Sequence, residues 1–402
     1  MKTIKDPVHG HVRVQQELLP LLDAPPVQRL RYIRQLGFSH LVYPGANHSR
    51  YEHSLGTMHL AGSMAAHLDL SEDERLLVRA AGLLHDVGHS PFSHATESLM
   101  QEYCGRSHQD ISHIVIQEGV GDALDCAGIE SGELCEIVNG VHPLAGIIHG
   151  DLDVDRMDYL MRDAHYTGVP YGTVDPDRLI HSTAYSRESG LHLRESGINS
   201  AESLLIARTL MRPAVYFHHV SRIAEAMAIF ALKCHIKESG TTDASTLFAM
   251  DDDAFFSTLL ASPSAIARDM AERLKTRRLY KRALYVGNDR VNPASYAKEI
   301  TSGKGRLIAA EIADQAGVGE ESVLVDIPAF PSDMRMGVRV ENHHDLTSLD
   351  ELSPLMRTLN ETRKRQWRLG VYTLPDQRKV VEDAASEVLS IKKPTKQHRL
   401  IN

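Results

Sequence analysis

Between Ser71 and His94 the chain carries its most restrictive pattern. Ser71 followed three residues later by Glu74 is a capping box, and Leu76, Leu77, Ala80, Ala81 and Leu84 then recur at helical spacing. That pattern demands a helix with one face packed against a core. It runs out at His85-Asp86, with His89 and His94 close behind. An imidazole beside a carboxylate suits a mid-row divalent metal, and His89 would share the face of His85 if the helix continued. Two ligands do not complete a site, so other segments must supply the rest.

The remaining pattern is mostly helical. Ile4 to Val14 reads as an irregular arm or small hairpin, and a helix is expected from about Pro26 to Leu36 with Gly37 as its stop. Met58, Leu60, Ala61 and Met64 continue a helix entered from Asn47 to Thr57, and a helix from Ser93 to Tyr103 would set His94 and Glu97 side by side. The acids of Asp151 to Asp163 read as a helix whose Asp155, Arg156, Tyr159 and Asp163 follow one face, where a solvated acidic start is the commoner meaning. A strand is expected near Leu191 to Leu193, and long helices from about Ser200, punctuated by Pro213, and over Val220 to Ile236. The pattern stays helical from Asp251 to Leu284. Texture then changes: Val323 to Pro328 and Met336 to Val340 look like strands, followed by a helix from Ser353 and a polar tail from Lys392 to Asn402. The expected fold is mainly α with a smaller α+β C-terminal region, divided as 1–290 and 291–402.

Charge and residue usage narrow the function. A net charge of −9 argues against broad affinity for nucleic acid or anionic membrane, so a polyanionic substrate must be held by clustered Arg and Lys. No apolar run reaches membrane-span length and the N-terminus opens no signal-peptide core, so a cytoplasmic protein is expected, its 4 cysteines reduced. The 23 histidines bunch between His40 and His113. His53, His85, Asp86 and one acid of the Asp151 to Asp163 helix could converge from separate helices on a metal.

Four stretches carry a family resemblance: Asp6 to His11, Gln28 to Gly37, Arg50 to Gly56, and His85 to His94. Through them the chain resembles the HD-domain phosphohydrolases, and more narrowly the deoxynucleoside triphosphate triphosphohydrolases that combine SAM and HD domains, with no SAM domain expected here. The likeness is specific to about residue 170, tightest over 47–165, weaker to about 290 and thin beyond. It implies an HD-domain helical core over 1–290, with 291–402 serving oligomerisation or regulation.

The same resemblance implies metal ligands His53, His85, Asp86 and Asp155, holding Fe, Mn, Zn or Ni, with Mg accompanying the substrate. The implied reaction is attack of metal-activated water on the α-phosphorus of a dNTP, releasing deoxynucleoside and inorganic triphosphate. The leaving 5′-alkoxide needs a general acid. His94 fits that role, with Glu97 holding its other ring nitrogen; His108 is a second catalytic candidate, and its neighbour is Gln109 where the family has an acid. His89 would orient phosphate or a bridging water. Arg50, Arg156 and Arg208 match phosphate-binding positions, Arg156 replacing a lysine. Gln35, Tyr159, Asp163 and Tyr216 match the substrate-contacting set, Asp163 accepting from the 3′-hydroxyl and the tyrosines closing over the 2′ carbon. Asp23, Gln28 and Arg31 match readers of an activating guanine nucleotide, and Arg194 and His218 fall near its phosphates, whereas Lys5 and His219 depart from that pattern. A homo-oligomer, dimer or tetramer, is implied, with no membrane or stable nucleic-acid partner. The alternatives are an HD phosphohydrolase for a monophosphate or dinucleoside polyphosphate, and a nucleotide-sensing or single-strand-binding protein with a weak site.

Overall fold

A computed structural model describes residues 1–117, 119–186, 188–240, 244–293, 305–334, 337–342 and 345–391, the side chains of His94 and Asn342 excepted. Met336 and the expected tail from Lys392 lie outside the described residues. Over the described residues the molecule is mainly α-helical with three small sheets. Among the described residues no helix is long and apolar enough to cross a membrane.

The N-terminal arm is a hairpin, β1 (Lys2–Asp6) paired antiparallel with β2 (Gly10–Val14). Two one-turn helices follow, α1 (Leu19–Asp23) and α2 (Pro25–Arg29). The helix expected to reach Leu36 stops at Arg29 and yields to a 3₁₀ turn over Leu30–Tyr32. Its backbone groups find partners elsewhere: Arg50 N donates to Ile33 O at 2.9 Å and Gln35 N to His48 O at 3.0 Å. Backbone donors need a partner, and here the partner is a distant segment rather than the next turn.

That segment leads into α3 (Arg50–His67), whose Ser49–Glu52 capping box complements the one at Ser71–Glu74 that starts α4 (Glu72–Leu84). Helix α4 ends at Leu84 with His85 as its C-cap, so His89 leaves the helical face that a continuation would have given it. The stretch from Ser93 is a 3₁₀ turn over Ser93–Ala95, and α5 (Glu97–Cys104) starts only after Thr96. Short helices α6 (Ser112–Val115), α7 (Val120–Ala127) and α8 (Ser131–Val138) precede α9 (Val154–Thr167), which is N-capped by Asp153. Next come α10 (Pro176–His181), β3 (Thr183–Ser186), β4 (Gly190–Arg194), α11 (Ile198–Met211) and a π-helical turn over Arg212–Tyr216.

Helix α3 is the central element, and Gly56 explains how close α9 comes to it. A Cβ at that position would sit 1.8 Å from Asp158 Oδ1 and 2.5 Å from Arg162 Nη2. Gly56→Ala is therefore expected to cost about 1–3 kcal/mol of stability or more by overpacking, read from urea unfolding.

Contacts sort the chain into two compact units of discontinuous sequence: residues 1–218, 241–258 and 335–356, and residues 219–240, 259–334 and 357–402. The division at residue 290 expected from texture falls inside the second. Helix α12 (His219–Ser239) opens the second unit, and α13 (Ser245–Phe248) and most of α14 (Asp252–Leu260) belong to the first. After α15 (Ala265–Lys275) the expected helical pattern gives way to β5 (Lys281–Gly287), because Leu284 and Val286 alternate into a core and pair with a strand near the C-terminus. That sheet has the order β5–β9–β6, with β6 (Val323–Asp326) and β9 (Arg368–Thr373) antiparallel around buried Trp367, Leu369 and Val371. The first unit has its own four-stranded sheet, in which β7 (Arg339–Asn342) runs parallel to β4 and antiparallel to β8 (Asp345–Ser348).

Candidate metal centre

Three elements bring the candidate ligands together. The first turn of α3 supplies His53, the end of α4 supplies His85 and Asp86, and the first turn of α9 supplies Asp155. His53 Nδ1 lies 2.7 Å from Asp158 Oδ2, and His85 Nδ1 lies 2.9 Å from Gly82 O. Both partners are acceptors, so in the neutral ring each Nδ1 carries the proton and each Nε2 offers its lone pair. These two nitrogens face one another at 3.3 Å. Asp155 Oδ1 sits 2.9 Å from His53 Nε2 and 3.7 Å from His85 Nε2, while Asp86 Oδ1 is 3.4 Å from His85 Nε2.

Opposed lone pairs ringed by carboxylates call for a cation. Burial disfavours charge on His53, yet its hydrogen bonds to Asp155 and Asp158 outweigh burial and raise its pKa to about 10. His85 is also raised against burial, chiefly by the Asp86 charge, and Asp86 lies well below the usual carboxylate range despite burial, because Arg50 and His85 act on it. The field that draws a proton to these rings also draws a divalent ion, which must displace that proton to bind. Mixed imidazole and carboxylate donors suit a first-row transition metal better than Mg or Ca.

Behind the candidate ligands lies a buried ion network. Asp158 receives His53, His9 Nε2 at 2.5 Å, and Arg162 Nε and Nη2 at 2.9 Å each, and Arg162 Nη1 donates to Asp6 Oδ2 at 2.8 Å. Arg162 is wholly buried. The signal was present as Asp158 and Arg162 one turn apart, a turn after Asp155, and as Asp6 and His9 in the opening motif.

On the other side of Asp86, Arg50 donates from Nη1 to Asp86 Oδ2 at 2.6 Å and from Nε to Ser93 Oγ at 2.6 Å. Among the described residues its Nη2 has no partner, and Arg50 is only 2% exposed. His89 Nε2 approaches Asp86 Oδ1 at 3.2 Å and its ring stacks on His108 at 4.0 Å. Burial, then the Arg50 charge, drives the His89 pKa well down, so its imidazole is neutral. Glu97 Oε1 accepts from His108, from its backbone N at 3.1 Å and its Nδ1 at 2.9 Å. The His94 side chain lies outside the described residues. A Cβ at Gly88 would come within 2.1 Å of His108 O, so only glycine admits this approach.

The remaining candidates line neighbouring walls. Arg156 pairs with the buried carboxylate of Asp153, and burial pushes that carboxyl up to about 6. Burial raises the Tyr159 phenol to about 12 against the opposing charges of half-buried Arg208 and of Arg156. Tyr159 meets His53 and Tyr216 edge-on, with centroids at 6.4 and 6.0 Å. Asp163 is engaged on both oxygens, by His48 Nε2 at 2.8 Å and by Tyr216 Oη at 2.8 Å, so an incoming hydroxyl must share an oxygen with one of them. Among the described residues the buried side-chain oxygen of Gln35 has no partner.

The activator candidates fall into two groups. Gln28 Oε1 accepts from Arg31 Nε at 2.8 Å, Arg31 stacks 3.5 Å over the Tyr51 ring, and the exposed Asp23 also acts on that tyrosine. Asp23 does not cap α2, whose N-cap is Ala24. Arg194 is exposed at the end of β4, and His218 meets Tyr43 edge-on at 6.1 Å.

Comparison with known proteins follows this geometry. Residues 50–163 match the HD domain and residues 174–400 the HD-associated region. The chain is 33% identical to an uncharacterised protein of Methanocaldococcus jannaschii, over 92% of this chain and 79% of that one. It is 28% identical to the human deoxynucleoside triphosphate triphosphohydrolase SAMHD1, over 77% of this chain and 60% of that protein. The crystal structure of a phosphohydrolase from Bacteroides thetaiotaomicron superposes with a TM-score of 0.73 at 25% identity, over 93% of this chain and 100% of that one.

Proposed function

The chain belongs to the HD phosphohydrolase superfamily, an HD domain joined to an HD-associated region, and on that footing we propose that it is a metal-dependent deoxynucleoside triphosphate triphosphohydrolase. The observation that supports this most is Arg50: a guanidinium 2% exposed, locked by Asp86 and Ser93, with one buried nitrogen left over beside the candidate ligands. A preset donor of this kind suits a phosphoryl oxygen that gains charge during reaction.

His53, His85, Asp86 and Asp155 would hold the metal, which would supply Lewis-acid polarisation of the phosphoryl group and acidify the attacking water. Arg50, Arg156 and Arg208 bind the triphosphate, with Arg156 exchanging Asp153 for phosphate. His108 donates its Nδ1–H to Glu97 and so presents Nε2 as an acceptor for water, while neutral His89 orients the phosphate. His94 is proposed to protonate the leaving 5′-oxygen. Gln35 and Asp163 take the 3′-hydroxyl, and Tyr159 and Tyr216 crowd the 2′ carbon against ribose. Asp23, Gln28, Arg31, Arg194 and His218 would admit a guanine-nucleotide activator of a homo-oligomer.

The test is to chromatograph products from each dNTP and NTP, with and without GTP or dGTP. Deoxynucleoside plus tripolyphosphate is the expected outcome, and nucleoside mono- or diphosphate products would sink the reading. Prolonged chelation is expected to abolish turnover, with Mn or Fe restoring it and Mg alone failing to.

A further inference from the structure

Two consecutive non-glycine residues just before His94 have left-handed backbones, Phe92 at φ 52° and Ser93 at φ 45°. Side chains of L-residues disfavour this region, and it persists only where neighbours over-determine it. Here they do. Phe92 N donates to Asp252 Oδ1 at 2.9 Å, and its ring stacks on Phe38 at 4.3 Å and 5°.

The preceding half of the same loop is held from another direction. Arg29 Nη2 donates to Val87 O at 3.1 Å and to His89 O at 2.7 Å, bracketing Gly88, and its Nη1 donates to Met250 O at 2.7 Å. Asp252, 1% exposed, spends its second oxygen on Arg34 N at 3.0 Å. One short segment, Met250 to Asp252, therefore anchors both the guanidinium that grips Val87 and His89 and the carboxylate that grips Phe92. No candidate ligand or substrate group lies in that segment, and neither Arg29 nor Asp252 was singled out from sequence.

The geometry points to Arg29 and Asp252 as positioning residues of the hydrolytic reaction: braced on Met250 to Asp252, they set the peptide planes from Val87 to Ser93 that aim Asp86 and His89 and lead into His94. The inference rests on the metal-centre reading of the loop and does not depend on which phosphoester is cleaved. Misplacing reacting groups by a fraction of an ångström to one ångström costs rate far more than it costs binding or folding.

The test compares full-length Arg29→Lys, Arg29→Ala, Asp252→Asn and Asp252→Ala with the parent, using dNTP and, separately, bis(p-nitrophenyl) phosphate. Metal per chain and thermal midpoint are measured alongside kcat and KM. Arg29→Ala and Asp252→Ala are expected to keep their metal and KM while kcat falls about 100-fold on any substrate the parent cleaves. Arg29→Lys and Asp252→Asn should fall less, and added guanidinium should restore Arg29→Ala but not Asp252→Ala. Unchanged kcat in both alanine variants overturns the inference. So does a loss that tracks missing metal or unfolding in all four variants, including the conservative pair. A parent that cleaves bis(p-nitrophenyl) phosphate but no dNTP defeats the proposed substrate while leaving the brace open to the same measurement.

Discussion

Arg50→Ala should retain its metal and lose turnover, whereas Asp86→Ala should lose both. Arg50 touches no candidate metal ligand except Asp86, and it does so through an oxygen 3.9 Å from His53 Nε2. Removing the guanidinium leaves that carboxylate free to ligate. What disappears is the buried Nη2 and the tether to Ser93. Loss of one preset donor to a charge-gaining oxygen costs roughly 100- to 1,000-fold in kcat. Asp86→Ala removes one of four donors and the charge that raises His85. Metal analysis by mass spectrometry, paired with kcat, separates the two outcomes, and metal retained by Asp86→Ala would refute the ligand assignment.

Arg162→Ala should be the most destabilising single change, at about 3–5 kcal/mol by urea unfolding. The side chain is wholly buried and answers two buried carboxylates, Asp6 and Asp158, on elements far apart in sequence. Alanine leaves Asp6 without its guanidinium partner and strips the same guanidinium from Asp158, which keeps its contacts to His53 and His9. The effect should also depend on pH. Although burial raises the Asp6 carboxyl, Arg162 and two backbone N–H groups bring it below its ordinary value of 3.8 in the folded protein. A depressed folded pKa contributes stability above the unfolded value that is lost as pH falls through the folded one. The gap between parent and variant should therefore be full near neutrality and narrow in acid, and a gap that widens in acid would contradict the assignment.

Much of the candidate site was legible because its cues are local. The capping boxes at Ser49–Glu52 and Ser71–Glu74 start α3 and α4 through side-chain to backbone bonds within three residues, and the His-Asp motifs are short enough to read off the chain. His53, His85 and Asp86 are thus nameable from sequence, whereas local cues leave open which acid of the Asp151 to Asp163 helix joins them and only the family resemblance points to Asp155; Asp155 Oδ1 lies 2.9 Å from His53 Nε2 and 3.7 Å from His85 Nε2. Misreadings arose where a partner is remote. Ile33 to Gln35 looked helical but pairs with His48 to Arg50, and Lys281 to Leu284 looked helical but joins a strand some ninety residues away.

Glu97 marks the boundary between these two kinds of information. Its place three residues after His94 is plain in the chain, whereas the bond from its Oε1 to His108, eleven residues on, exists because Gly88 lets that segment close in. The network of Asp6, His9, Asp158 and Arg162 and the brace of Arg29 and Asp252 are of the same sort. Spacing along the chain specifies which residues share a helix face and where helices begin, since those follow from backbone geometry over one or two turns. It does not specify which buried charge answers which, because that choice depends on distances between elements that only packing sets. In this chain most of the candidate ligands belong to the first class, and what orients them belongs to the second.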